Sequence, residues 1–181
     1  MRVISGMARG TKLLCPEGMF VRPTHDRVKE ALFSMLSTKV NGAFVLDLFA
    51  GTGALGIEAL SRGASGAVFV DTSPQSLKFV EENLQKTHLA SLAHLIKRDY
   101  LSFLNTTEHL FDLIFLDPPY SEGYLLPALK KIAENRLLKP DGFIYCETEG
   151  EPPAEISQLY TIVRDKKYGR ARILLLKEMS L

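Results

Sequence analysis

The 181 residues predict an α/β fold, a mostly parallel seven-stranded sheet with helices on both faces and a closing antiparallel hairpin. Three observations predict it. From residue 43 onward, short apolar runs alternate with segments of helical period, as in parallel strands joined by crossover helices. Those runs are nearly continuous in Val, Leu, Ile and Phe, which suits strands buried on both faces. The last two candidate strands are separated only by Tyr168-Gly169, a spacing that allows a hairpin and no crossover.

Each element has its own signal. Residues 1–14 carry strand-like pieces interrupted at Gly6 and Gly10, and read as a small β-hairpin bearing Arg2, Arg9 and Lys12. Pro23-Thr24 opens a helix, with Thr24 as its N-cap. Val28, Ala31, Leu32, Met35 and Leu36 then repeat at i, i+3, i+4, i+7 and i+8, which gives that helix one buried face. A buried strand is expected at 43–49 and a helix at 53–62, stopped by Gly63. A strand at 67–71 leads to a helix at 74–87, with Ser73 as N-cap and Pro74 at its first position. Strands follow at 94–97 and 111–116, and a helix at 125–138 ends before Pro140-Asp141-Gly142. A strand at 143–147 precedes the closing hairpin of 159–167 and 170–177. The chain reads as one domain, 1–181, with 1–21 a basic N-terminal extension and 22–181 the core.

With 46% hydrophobic and 24% charged residues, the composition excludes disorder, collagen and coiled coil, and no apolar run is long enough for a membrane span. Cys15 and Cys146 stand far apart without metal-ligand spacing, as in a reducing compartment. No metal, no membrane and a cytoplasmic, monomeric protein are the expectations. Charge is uneven: residues 1–30 sum to +3, residues 161–181 to +4 and the middle to −6. Basic ends around an acidic centre fit a polyanion-binding rim beside a site that uses carboxylates, and equally fit ordinary solvated surface charge.

In open α/β sheets ligands bind beyond the carboxyl ends of the strands, and two motifs fall there. The first runs from Val45 to Gly56, a strand entering the glycine loop Gly51-Thr52-Gly53-Ala54-Leu55-Gly56 that opens a helix. Glycines let a ligand approach the main chain closely. Gly51-x-Gly53-x-x-Gly56 matches the dinucleotide fingerprint, so a nicotinamide or flavin enzyme stays open. Asp47, inside the strand, suits a cationic ligand better than a pyrophosphate. Asp71 closes the next strand, where a carboxylate would take a ribose hydroxyl pair. The second motif, Asp117-Pro118-Pro119-Tyr120, follows the strand at 111–116. Its prolines remove two backbone donors, leaving carbonyls to face the site without competing N–H groups. An aspartate, such a carbonyl and a flat ring together can hold a planar amino group.

Together, the Asp47–Gly53 and Asp117–Tyr120 motifs resemble the S-adenosylmethionine-dependent class I methyltransferases that modify exocyclic or amide nitrogens, a Rossmann-like fold. Arg22-Pro23-Thr24-x-Asp26-Arg27-Val28-Lys29-Glu30-Ala31-Leu32-Phe33, with Arg9-Gly10-x-Lys12-Leu13 upstream, closely resembles the bacterial 16S rRNA guanine-966 N2-methyltransferase family, over nearly the whole chain to about Glu147. The resemblance implies S-adenosylmethionine as cofactor. Asp47, Phe49, Gly51 and Gly53 would line its methionine end, and Asp71 would hold its ribose. Thr72 and Ser73 would flank the adenine, and Asp99 would meet the adenine amino group beside Tyr100. The helix opened by Arg22, Thr24 and Arg27 would close over the cofactor. Asp117, Pro118, Pro119 and Tyr120 would hold the target amine. Arg2, Arg9, Lys12 and the cluster Lys166, Lys167, Arg170 and Arg172 would contact phosphates of 16S rRNA, within the 30S subunit or a late assembly intermediate. The rival within the same chemistry is another planar nitrogen, adenine N6 in DNA or RNA or a protein glutamine amide. From other classes, a nicotinamide oxidoreductase leaves Asp117–Tyr120 unexplained, and a non-catalytic RNA-binding module leaves the same motif without use.

Overall fold

The computed structural model describes residues 1–16, 23–119 and 122–179, the side chains of 23–25 excepted. Helix α1 spans Pro23–Leu36, and strand β1 (Phe44–Asp47) leads into α2 (Ala54–Ser61). Then come β2 (Gly66–Asp71), α3 (Pro74–Thr87), β3 (Ala93–Lys97), α4 (Tyr100–Thr106), β4 (Phe111–Leu116) and α5 (Leu125–Glu134). Strand β5 (Leu138–Glu149), the short α6 (Ile156–Leu159), β6 (Tyr160–Tyr168) and β7 (Ala171–Glu178) complete the order. The seven strands lie as β3-β2-β1-β4-β5-β7-β6. Strands β1 to β5 are parallel, and β7 joins β5 antiparallel and carries β6. The strand order reverses between β1 and β4, which opens a crevice above their carboxyl ends.

Strand alternation explains why the sheet needs helices on both sides. Val45, Phe69, Leu113 and Phe115 turn to one core with α1, α2 and α3. Leu46, Val68, Val70 and Ile114 turn to the other, with α4, α5 and α6. The mostly parallel, doubly covered sheet with its closing hairpin is as the sequence predicts. On the first face two helices are tied down through small or polar residues. A Cβ on Gly56 would stand 2.3 Å from the Phe69 ring, so only glycine lets α2 lie this close to the sheet. Asn83 on α3 accepts from Leu14 N (2.6 Å) and donates to the carbonyls of Leu14 and Thr52 (both 3.0 Å), joining helix, N-terminal segment and glycine loop.

Four expectations need correction. The N-terminal hairpin holds a single antiparallel bridge, Arg2 to Lys12, and no two full strands. Its backbone donors go to α2 instead: Ile4 and Ser5 N–H to the Glu58 carboxylate (2.8 and 3.0 Å), Met7 N–H to the Ser61 carbonyl (2.8 Å) and Ala8 N–H to Ser61 Oγ (3.0 Å). Helix α1 already includes Pro23, so Thr24 lies inside its first turn and is not the N-cap. Helix α5 ends at Glu134, because Asn135 caps it and Arg136 takes a left-handed φ of 50°. Leu138 therefore begins β5, which absorbs Pro140-Asp141-Gly142 as an irregularity in its pairing with β4. Helix α4 was not expected from the sequence; Asp99 caps it by accepting from Ser102 N (3.0 Å).

Candidate active site

The crevice above β1 and β4 is a cavity of about 590 Å³, within the range of small-molecule sites. Each strand end brings one carboxylate to it: Asp47 from β1, Asp71 from β2, Asp117 after β4 and Glu147 from β5. Asp99, after β3, is a fifth, against Arg98 as the only cationic side chain among the lining residues. Asp47 and Asp117 share the parity of Phe115, and Glu147 that of Tyr145, so all three project from the α1–α3 side. Leu116 pairs with Cys146, which sets Asp117 beside Glu147 as the strands end.

The glycine loop is built for close approach. Gly51 and Gly53 have φ of 54° and 77°, a conformation costly to any side chain, and a Cβ on Gly51 would point into open space. Gly53 caps α2 from the left-handed region. The Asp71 carboxylate fixes the loop from outside, accepting from Gly51 N (2.9 Å) and Ser73 N (2.8 Å). Each of its oxygens keeps a lone pair for a further donor, the requirement for holding a vicinal diol. Asp47 accepts from Gly56 N (3.0 Å) and is 2% exposed. Burial, partly offset by that hydrogen bond and reinforced by Asp71, pushes its pKa up to about 7. Enclosure by the surrounding protein and the charges of Glu147 and Asp47 push Asp117 up to about 8. Because Asp117 still opens onto the cavity, solvent there screens part of this shift until a ligand fills the space. Glu147 is buried, and its Oε2 accepts from the Tyr145 hydroxyl (2.9 Å). Opposite the carboxylates, Phe49, Tyr100 and Tyr124 form an aromatic wall with centroids 5.2 to 6.1 Å apart.

Most of the expected residues meet here: Asp47, Phe49, Gly51, Asp71, Thr72, Asp99, Tyr100, Asp117, Pro118 and Pro119 line the cavity. Gly53 and Ser73 stand behind it, one turning the loop and the other capping α3 by accepting from Ser76 N (3.2 Å). Arg27 lies elsewhere, on a smaller cavity of about 420 Å³ with Arg2 and Arg9. Arg22 and Tyr120 lie outside the described residues, as does the side chain of Thr24. Lys12, Lys166, Lys167 and Arg170 are exposed. Arg172, by contrast, is occupied, holding Asp165 through two 2.7 Å bonds and Glu151 through a third. Sequence reasoning missed Glu147, Tyr124, Arg98 and Thr52 in the lining. Glu147 carried a readable signal: it follows the apolar run Phe143–Cys146 as Asp71 and Asp117 follow theirs. Tyr124 carried none, since it reaches the site only through the position of α5.

The residues fit a nucleoside cofactor that carries positive charge. Crowded carboxylates, with Asp47 and Asp117 pushed to raised pKa values, disfavour a pyrophosphate and are relieved by a cation, and the glycine loop, Asp71 and the aromatic wall suit a nucleoside. Fold and site together define a class I S-adenosylmethionine-dependent methyltransferase, a nucleoside-cofactor enzyme and not a dinucleotide oxidoreductase. The chain belongs to the family described as Conserved hypothetical protein 95, whose model matches residues 1–177. Ribosomal RNA small subunit methyltransferase D of Haemophilus influenzae is 37% identical over 172 residues, covering 93% of this chain and 89% of that protein. The protein of the same name from Escherichia coli K12 is 38% identical over 151 residues, covering 83% and 76%. The solved yhhF structure from Escherichia coli superposes with a TM-score of 0.86 at 35% identity, over 100% of this chain and 99% of that one. SMU.776, solved in complex with SAH, shares the fold at a TM-score of 0.68 and 17% identity, over 86% of this chain and 50% of its own.

Proposed function

We propose that this enzyme methylates the exocyclic N2 of one guanine, guanine 966, in 16S rRNA of the small ribosomal subunit. The observation that carries the reading is Asp117-Pro118-Pro119 at the carboxyl end of β4, opening into the cavity that also holds Asp47 and Asp71. Relatives named for small-subunit rRNA methylation support the substrate class. When bound, S-adenosylmethionine supplies an electrophilic methyl group on a sulfonium centre. Asp47 and the glycine loop would hold its amino-acid end, Asp71 its ribose, and Thr72 with Asp99 the base.

The rest falls to this chain's own groups. A guanine N2 amine is a poor nucleophile because its lone pair is delocalised into the ring, so alignment supplies much of the rate. Asp117 and the Pro118 carbonyl accept the two N2 hydrogens and fix the amine's direction. Pro119 brings no N–H donor to the site that could repel the amine's hydrogens. As positive charge develops on nitrogen, the Asp117 carboxylate stabilises it and takes the proton. The site sits at the top of a sheet and does not reach into a duplex, so the base is presented unstacked or in an open loop.

Exposed Lys166, Lys167 and Arg170 support contact with rRNA phosphates, because Lys166 pairs with Ile173, which in turn pairs with Glu147. That register brings the hairpin's basic end to the level of the site. Arg2, Arg9 and Lys12 supply a second basic edge. A domain of this size has little surface with which to specify one guanine, so the assembled 30S particle is the substrate. The enzyme acts as a monomer in the cytoplasm, where that substrate is found. Among the described residues no helix is long and apolar enough to cross a membrane. The test is methyl transfer from radiolabelled S-adenosylmethionine to unmodified 30S subunits and to naked 16S rRNA, with nucleoside analysis. Label in N2-methylguanosine, faster on 30S, is expected. Label in N6-methyladenosine would overturn the substrate, and equal rates would overturn the 30S requirement.

A further inference from the structure

We infer that Glu147 is the residue that selects guanine, by accepting the base's N1–H beside the N2 amine held by Asp117. The inference rests on the N2-methylation reading above and names how that site tells one base from another.

The geometry begins with strand register. Leu116, the last residue of β4, pairs with Cys146 on β5, so the residues that follow them, Asp117 just past β4 and Glu147 on β5, come close enough to interact where the sheet opens into the cavity. Glu147 is 6% exposed yet lines that cavity, and the Tyr145 hydroxyl fixes one of its oxygens at 2.9 Å. A carboxylate offers about four acceptor positions and no donor, so a hydrogen bond from Tyr145 leaves capacity for another. Once Asp117 is ionised, as its role as proton acceptor requires, two acceptor-only groups stand adjacent at the place where the amine is presented. The raised pKa of Asp117, part of it due to Glu147, reports the same proximity.

Base chemistry then decides what such a pair admits. Guanine's amine is flanked on its Watson–Crick edge by N1–H, a second donor. The amines of adenine and cytosine are flanked there by a ring nitrogen with a lone pair. Adjacent carboxylates meet two donors in guanine, and a donor next to an acceptor in the other two. The acceptor would face the Glu147 carboxylate without a hydrogen bond, and a site built for a donor rejects a base that lacks one. Asp117 and Pro118 alone hold any planar amine, so Glu147 supplies the discrimination they lack.

The experiment uses 30S particles assembled from 16S rRNA carrying either guanine or 2-aminopurine at the target position. 2-Aminopurine keeps the N2 amine, replaces N1–H by a bare ring nitrogen and lacks the 6-oxo group, so the change of ratio in a Glu147 variant isolates the N1 contact. The wild-type enzyme is expected to favour guanine in kcat/KM by roughly 10- to 100-fold, the range for one well-placed polar contact to a base. Glu147→Gln, whose amide also donates, is expected to bring that ratio close to one while affinity for S-adenosylhomocysteine stays unchanged. Equal wild-type rates on the two bases overturn the inference, with no variant needed. So does a Glu147→Gln enzyme that binds cofactor and keeps the wild-type ratio. Failure of the wild type to methylate either particle, with cofactor binding intact, removes the N2 reading and this inference with it, and is distinct from equal use of both.

Discussion

Asp117 and Asp47 carry opposite lessons about the same electrostatics. In the proposed mechanism Asp117 must be ionised to accept the amine's proton, and its surroundings push its pKa up to about 8 before solvent in the open cavity screens part of the shift. The pH dependence of kcat/KM reports groups of the free enzyme, so kcat/KM is expected to rise through pH 6–8 and level off above. An Asp117→Asn enzyme is expected to lose turnover while binding S-adenosylhomocysteine with near wild-type affinity; matching losses of both would place Asp117 in the cofactor site instead. Asp47 shows the cost to the fold. With its pKa raised to about 7, the folded ligand-free protein keeps a proton between about pH 4 and pH 7 that the unfolded chain has released. Stability therefore falls as pH rises through that window. Asp47→Asn removes the slope and is expected to stabilise the ligand-free protein at pH 8, by up to about 4 kcal/mol, with little change at pH 4 and weaker cofactor binding. Thermal melts of both proteins at the two pH values check the sign.

Among elements, the N-terminal segment shows how a basic extension is held in place. Glu58 on α2 is fully buried and pairs with Lys29 of α1 (3.1 Å) and Arg62 (2.8 Å) while accepting from Ile4 and Ser5. Removing the carboxylate leaves Lys29, 3% exposed, without its hydrogen-bonded counter-charge and with only the more distant Asp26. Glu58→Ala is expected to destabilise the fold by about 3–5 kcal/mol, the range for breaking one side of a buried pair. Denaturant unfolding measures it, and a loss under 1 kcal/mol would show that water reaches Lys29. Only the i,i+4 spacing to Arg62 was legible in the sequence; the rest was not, because Lys29 and Ile4 lie 29 and 54 residues away. Strands β1, β2 and β4 were legible because burial on both faces leaves continuous apolar runs. Helix α4 was not, since seven residues span barely two turns and give little periodic signal. The end of α5 was misread for a related reason: Leu137 and Leu138 continue an apolar pattern, but bury after a left-handed turn at Arg136 that composition does not announce. The carboxylates at the ends of β2 and β4 were readable from position alone, whereas the partnership of Asp117 with Glu147 needed the register of β4 on β5.

On the scale of the whole molecule, charge is sorted by use. Carboxylates crowd the cavity, while Lys166, Lys167 and Arg170 project from the closing hairpin at the level of the site and Arg2, Arg9 and Lys12 from the N-terminal segment. Replacing Lys166, Lys167 and Arg170 together by Gln is expected to weaken 30S binding and to flatten its salt dependence by about 0.7–0.9 in log K per log salt for each phosphate no longer neutralised. Cofactor affinity, set on the other side of β5, is expected to stay unchanged; an unaltered salt slope would move the RNA surface elsewhere. The measurement that bears most directly on the central claim is mapping of methylated positions along 16S rRNA after unmodified 30S subunits are treated with wild-type enzyme or Asp117→Asn. One new methyl group, on N2 of a single guanine and absent with the variant, is the predicted result. A methyl group on any other nucleoside, or an equal yield from the variant, would contradict it.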